Sequence, residues 1–256
     1  MHVFKRIDAL QKAHRRVALV TVVKTVGATP RKAGARMLVF DDGSIEGSIG
    51  GGRVEHDLRQ IAREALKSEK TEFITYELGP QGAMCCGGTY HLYVEPIVPE
   101  PHLYIFGCGH VGSALVRAAK PLGFQITAID ARPDFAAAER LPEATRFVNS
   151  FEKTAIDNLT FSDDVYIVLA TSDHKLDMQL LSALAARPWR YLGVLGSTKK
   201  RAMQNHHLEK QGVDDAIIAR IRCPIGVDIG AQGPEEIAVS ICAELIAARR
   251  RVEYAT

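Results

Sequence analysis

The chain has 256 residues, 46% of them apolar and 24% charged, and a formal net charge of +2 at neutral pH. That length holds one large domain or two modest ones, and the apolar share is ample for packed cores, which excludes a disordered chain. The basic residues are scattered rather than striped among aromatics, so nothing points to nucleic acid, and no apolar segment reaches the roughly 18–20 residues that cross a bilayer.

The amino-terminal MHVFKRIDALQKAHRR predicts a short amphipathic helix with Val3, Phe4, Ile7 and Leu10 on one face. It has neither the apolar centre nor the cleavage site of a signal peptide. Five cysteines, an odd number, fit reduced thiols in the cytoplasm better than a disulfide framework. A soluble, cytoplasmic protein is expected.

Val17 to Val23 and Ala35 to Phe40 read as strands, and Asp41-Asp42-Gly43 turns the second into Ser44 to Ser48. The loop Gly27 to Arg31 leaves Arg31 at its tip. Gly50-Gly51-Gly52-Arg53 then opens a helix whose apolar face is Val54, Leu58, Ile61, Ala62, Ala65 and Leu66. Strands at 71–78 and 89–95 bracket GPQGAMCCGG. Pro96, Pro99 and Pro101 interrupt the pattern, so a domain boundary is expected there: a smaller α+β domain over 1–98, a linker over 99–101 and a second domain over 102–256.

The second domain opens with an apolar run, Leu103 to Phe106, followed by Gly107-Cys108-Gly109-His110-Val111-Gly112. A helical stripe follows (Val111, Leu115, Ala118, Ala119, Leu122), then a strand, Gln125 to Ile129, ending on Asp130. That is the strand–turn–helix–strand context of a dinucleotide fingerprint. The first glycine allows a tight turn, the second lets backbone approach a diphosphate, and the third lets helix and strand pack closely. Asp130 is placed to accept hydrogen bonds from a ribose diol. Strands at 146–149, 165–170 and 191–195, with helical patterns between them, extend this to a Rossmann-like parallel sheet with helices on both faces. Leu176, Leu180, Leu181 and Leu184 form one helical stripe, and the closing helix starts at Pro234 and ends at Arg249 to Arg251.

Chemistry-bearing loops outside the fingerprint each admit two readings. Gly50, Gly51 and Gly52 make either a nest of N–H groups for phosphate or a plain sharp turn. Cys85 and Cys86 are either buried thiols or an accessible thiolate suited to sulfur transfer or contact with a soft metal. Their adjacency excludes the C-x-x-C pattern of a structural zinc site. His174, in Thr171-Ser172-Asp173-His174, follows the fourth strand of the sheet at the edge where ligands of open α/β sheets bind; Ser172 or Asp173 serves equally as a helix cap. Ser197, in Gly196-Ser197-Thr198-Lys199-Lys200-Arg201, offers a helix start with positive charge, or a solvated basic face. The common tendency is toward anionic ligands.

Together these loops resemble the XdhC/CoxI family, accessory proteins of xanthine dehydrogenase and related molybdenum hydroxylases. The resemblance rests on GATPRKAGARMLV (27–39), GSIGGGRVE (47–55), LGPQGAMCCGG (78–88), FGCGHVGSAL (106–115), IDARP (129–133), SDHKLD (172–177), YLGVLGSTKKR (191–201) and CPIGVDIGAQGPEEIAVSICAEL (223–245). Cys108 stands where the family more often has alanine. The resemblance implies a chaperone that binds the molybdenum cofactor, shields it while a cysteine desulfurase helps install a terminal sulfido ligand, and delivers it to the apo-hydroxylase. In that reading the glycine nest at Gly50, Gly51 and Gly52 and the helix start after Gly107, with Gly109, His110 and Gly112, suit the phosphate end of the cofactor, and Asp130 and Arg132 count among the cofactor-binding residues. Arg31, Arg53 and a Cys85 or Cys86 thiolate then face the metal end, Cys86 as a possible contact to molybdenum. The rival is an NAD(P)-dependent oxidoreductase, in which Asp130 favours NAD and Arg132 blurs that preference. A homodimer is expected, since two-domain chains of this size often pair.

Overall fold

The computed structural model describes residues 2–78 and 87–252. It divides into two compact units, Met1–Glu100 and Pro101–Thr256.

The first unit is built on an antiparallel sheet. Its strands are β1 (Val17–Val26), β2 (Arg36–Phe40), β3 (Ile45–Gly47), β4 (Glu72–Glu77) and β5 (Thr89–Ile97), in spatial order β3-β2-β1-β5-β4. Among the described residues two helices belong to it, α1 (Val3–Lys12) and α2 (Gly52–Ser68). The continuous apolar run of β1 has a simple cause. Ala18, Val20 and Val22 pack with α2 through Val54, Leu58, Ala62 and Leu66, while Val17 and Leu19 pack with Val3, Ile7 and Leu10 of α1. Alternate side chains point to opposite faces of a strand, so where both faces are covered, from Val17 to Val20, every position is apolar, and past Val22 the strand runs out from under the helices and becomes mixed. Phe4, expected inside, is 63% exposed. The buried stripe of α1 runs through positions 3, 7 and 10, and Phe4 falls beside it under the Arg36 guanidinium, 4.9 Å from the ring centre.

The second unit is a five-stranded parallel sheet of β6 (His102–Phe106), β7 (Gln125–Ile129), β8 (Arg146–Val148), β9 (Val165–Leu169) and β10 (Tyr191–Val194). Its order is β10-β9-β6-β7-β8, so chain direction across the sheet reverses between β6 and β9. The helices are α3 (His110–Ala119), α4 (Lys153–Asp157), α5 (His174–Ala185), α6 (Thr198–Lys210), α7 (Asp215–Arg220) and α8 (Gly233–Arg250). One core joins Leu103, Ile105, Ile126 and Val168 to α3 and α8; the other joins Tyr104, Phe106, Ile167 and Leu169 to α5, α6 and α7. This is the Rossmann-like doubly wound sheet, and its reversal point is where such sheets bind ligands. Short α7 has no counterpart among the sequence expectations. Among the described residues, no helix is long and apolar enough to cross a membrane.

Candidate functional site

In the second unit the three fingerprint glycines have separable roles. Gly107 sits at φ +94°, and a Cβ there would lie 2.6 Å from the Ala170 carbonyl oxygen. At Gly112 a Cβ would lie 1.9 Å from the Gly107 carbonyl oxygen, so only glycine lets α3 close onto the turn. Gly109 differs: nothing lies within 4 Å of its Cβ position. Its backbone therefore faces open space at the start of α3, and His110 beside it is exposed. This is the geometry of a turn that an anion can approach.

Asp130 is 1% exposed and committed within the fold. It accepts the Cys108 N–H at 2.9 Å, the Arg132 N–H at 3.0 Å, and Arg132 Nε and Nη2 at 2.8 Å each. Burial pushes its pKa up, but the Arg132 side chain and the N–H groups of Arg132 and Cys108 together hold it below the ordinary carboxylate value. A ribose diol would have to compete with a bidentate guanidinium for those oxygens. The structure thus fits NAD poorly at the end of β7. What it presents outward is Arg132 itself, half-exposed and stacked on Phe135 at 3.5 Å. Cys108 is fully buried, its thiol raised to about 12 mainly by desolvation, so it is inert at neutral pH.

At the end of β9, Asp173 caps α5 by accepting the Lys175 N–H at 2.8 Å. Thr171 donates its hydroxyl to buried Asp177 at 2.6 Å. Desolvation raises Asp177 despite that bond and nearby Lys200. The Nδ1 of His174 is shielded from solvent without a hydrogen-bond partner. Ser197 caps α6, its hydroxyl facing the Lys200 N–H at 3.4 Å.

In the first unit, loops distant in sequence converge. The Tyr90 hydroxyl accepts the Arg31 N–H at 2.9 Å and donates to the Ile49 carbonyl at 3.0 Å. A Cβ on Gly88 would lie 2.3 Å from the Ala28 carbonyl oxygen, and one on Gly50 would lie 3.0 Å from Pro30. Loops 27–31, 48–52 and 87–88 therefore meet at one end of the antiparallel sheet. Arg31 and Arg53 are exposed, Arg53 lying 3.6 Å from Asp57. Cys85 and Cys86 lie outside the described residues.

The glycine run at 50–52 holds a carboxylate of its own. Glu55 Oε1 accepts the Ser48 hydroxyl at 2.7 Å and the N–H groups of Gly51 at 2.9 Å and Ile49 at 3.1 Å, while the Gly50 N–H goes to Ser48. Desolvation raises the Glu55 pKa, but Ser48 and the N–H groups of Gly51, Ile49 and Gly50 outweigh it and leave it lowered. The N–H groups of Ile49, Gly50 and Gly51 are thus already engaged inside the protein. Sequence reading misses this because a glutamate four residues past the turn looks like any first-turn acid. Among the described residues, no group of three or more His, Cys, Asp or Glu side chains is arranged to hold a metal.

An antiparallel α/β unit with converging glycine loops, followed by a Rossmann-like unit with an open glycine turn, is a distinct two-unit class. The chain belongs to the XdhC and CoxI family: residues 10–77 match the XdhC and CoxI family model, and residues 103–245 match that of the XdhC Rossmann domain. It is 32% identical over 96% of its length to YqeB of Escherichia coli (strain K12), spanning only 46% of that protein. It is 25% identical to a probable xanthine dehydrogenase component of Bacillus subtilis (strain 168), over 96% of this chain and 97% of that protein. It is also 25% identical to the E. coli molybdenum cofactor insertion chaperone PaoD, over 96% and 87% respectively. A crystal structure described as a xanthine dehydrogenase from Bacillus halodurans shares the fold, with a TM-score of 0.55, 22% identity, and coverage of 100% of this chain and 98% of that one.

Proposed function

We propose that this chain is an accessory protein for molybdenum enzymes. It binds the molybdenum cofactor as cargo, shields it during sulfuration with a cysteine desulfurase, and inserts it into a xanthine dehydrogenase or a related molybdenum hydroxylase. Family membership in both halves and the name carried by PaoD support this reading. The observation that carries it is the meeting of loops 27–31, 48–52 and 87–88 around Tyr90. The antiparallel register alone brings these loops to one end of the sheet; what supports a shared ligand is that they also close on one another through Tyr90 and Gly88 and leave Arg31 and Arg53 exposed there.

In this reading the open backbone at Gly109 and His110, with Arg132 beside it, is a phosphate-binding turn of the second unit. Gly107 and Gly112 shape the turn, and Asp130 fixes Arg132 rather than touching the ligand. Arg31, Arg53 and the Cys85 or Cys86 thiolate serve the metal end, where the thiolate protects the metal or relays sulfur. His174 and Ser197 border the same carboxyl edge of the parallel sheet. The protein works in the cytoplasm as a homodimer. The commitment of Asp130 to Arg132 weighs against a nicotinamide dehydrogenase.

Titrating the purified protein with molybdenum cofactor, NAD and NADP tests this. Retention of the molybdenum cofactor, with weak or no NAD binding, is expected. Indifference to the cofactor, together with nicotinamide-dependent reduction of a small substrate, would overturn the assignment. Replacing Cys85 and Cys86 separately with alanine tests the thiol: at least one variant should lose cofactor retention or activation of apo-hydroxylase.

A further inference from the structure

The carboxyl end of β10 opens into a cavity of about 700 Å³, formed within the second unit. Its apolar walls include Leu195, Ile225, Ile229 and Ile237. That volume is in the range of small-molecule sites, which combine apolar walls with a few placed polar groups. None of the cavity residues belongs to the glycine turn or to the converging loops of the first unit.

Its charges do not cancel. Glu244 lines it but is 1% exposed and engaged: it accepts the Gly226 N–H at 2.6 Å and the Tyr191 hydroxyl, with Arg222 Nε at 3.8 Å. Arg222 and Glu244 therefore offset each other. Asp228 is exposed and accepts the Gly230 N–H at 3.3 Å, so water screens it. Arg201 remains. It is partly buried, gives one N–H to the Cys223 carbonyl at 3.1 Å, and has no carboxylate within ion-pair distance among the described residues. Lys199 and Lys200 precede it, and the first turn of α6 carries no acid. A partly desolvated guanidinium without an anion favours one strongly.

We propose that this cavity binds an organic phosphate of about mononucleotide size. Its phosphoryl oxygens lie on Arg201 and the leading N–H groups of α6, and its ring lies against Leu195, Ile225, Ile229 and Ile237. This site does not rest on the molybdenum-cofactor reading: it uses neither the glycine turn at 107–112 nor the loops of the first unit, and adjoins that reading only at Ser197, the cap of α6.

Calorimetric titration of the full chain with AMP, GMP and CMP, with adenosine and inorganic phosphate as controls, tests it. At least one nucleotide should bind, inorganic phosphate more weakly, and adenosine not at all. Arg201→Ala should weaken that nucleotide about tenfold or more, and Arg201→Lys less. Gly109→Asp, which adds a carboxylate at the glycine turn, should change its affinity by less than about twofold. Hydrogen exchange on the unaltered protein locates the ligand without relying on a variant's folding, with protection expected at 195–201 and 223–231. The proposal fails if no nucleotide binds. It also fails if protection falls on 107–112 and affinity is lost with Gly109→Asp but kept with Arg201→Ala.

Discussion

The two glycine turns look alike in sequence and differ in the fold. At 48–52 the nearest carboxylate, Glu55, lies one turn into the following helix and reaches back over the N–H groups. At 107–112 the carboxylate comes from the end of the next strand, and of that turn's N–H groups Asp130 takes the Cys108 N–H, its remaining hydrogen bonds going to Arg132. The first turn is closed by its own acid. The second is braced from behind and left open at Gly109. Glycines permit an anion site, and the position of the next acid determines whether a ligand or the protein itself supplies the anion.

The strongest way to break this contrast is Gly112→Ala. The added methyl would meet the Gly107 carbonyl oxygen at 1.9 Å, and backbone cannot step aside as a flexible side chain would. A loss of at least about 3 kcal/mol, or failure to accumulate as soluble protein, is expected in urea denaturation. Near wild-type stability would mean that α3 does not need its close approach to the turn.

Next is Glu55→Ala, which strips three donors, the Ser48 hydroxyl and the N–H groups of Ile49 and Gly51, of their shared acceptor. A loss of about 2–4 kcal/mol is expected, and less for Glu55→Gln, which keeps an oxygen. The pH dependence has a defined sign. Because the Glu55 pKa is lowered by folding, its contribution is complete above the ordinary carboxylate value of about 4.3 and is lost as pH falls through the lower folded value. Stability measured across that acidic window should therefore fall less steeply in Glu55→Gln than in the unaltered protein. Equal slopes would show that the carboxylate does not hold the turn.

Much of the scaffold is legible in the sequence because local rules agree with tertiary ones. The run VALVTVV is apolar at all positions but Thr21, and Val17 to Val20 are buried because α1 and α2 cover opposite faces of that part of β1, and β6 and β9 read the same way between two helical layers. Phe4 is misplaced by pattern alone because a 3.6-residue period admits both Val3 and Phe4, and only the width of the strip under α1 decides between them. The pairing of Asp130 with Arg132 is illegible for a different reason. An acid and a base two residues apart pair or diverge according to backbone direction after the strand, which composition does not encode. The cavity gathers Leu195, Arg201, Ile225 and Glu244 from separate elements. Its one sequence signal, the glycine-bearing stretch 223–233, reads as a loop until the fold closes it against α8.

The finest comparison sets Gly51→Ala against Gly109→Ala. Both have nothing within 4 Å of the added methyl, so packing is not at issue. Gly51 sits at φ +76° and ψ −177°, a conformation nearly restricted to glycine, whereas Gly109 sits at φ −68° and ψ −156°, which alanine adopts readily. Gly51→Ala should therefore lose of order 1–3 kcal/mol, and Gly109→Ala less than about 0.5 kcal/mol. The methyl at Gly109 stands between the backbone and any phosphate approaching the start of α3. Unchanged thermal stability with cofactor retention weakened about tenfold is thus the expected signature of an open turn, since a phosphate held off the amides loses its charge-assisted hydrogen bonds. Full retention in Gly109→Ala would move the phosphate elsewhere and leave this turn with a purely architectural role.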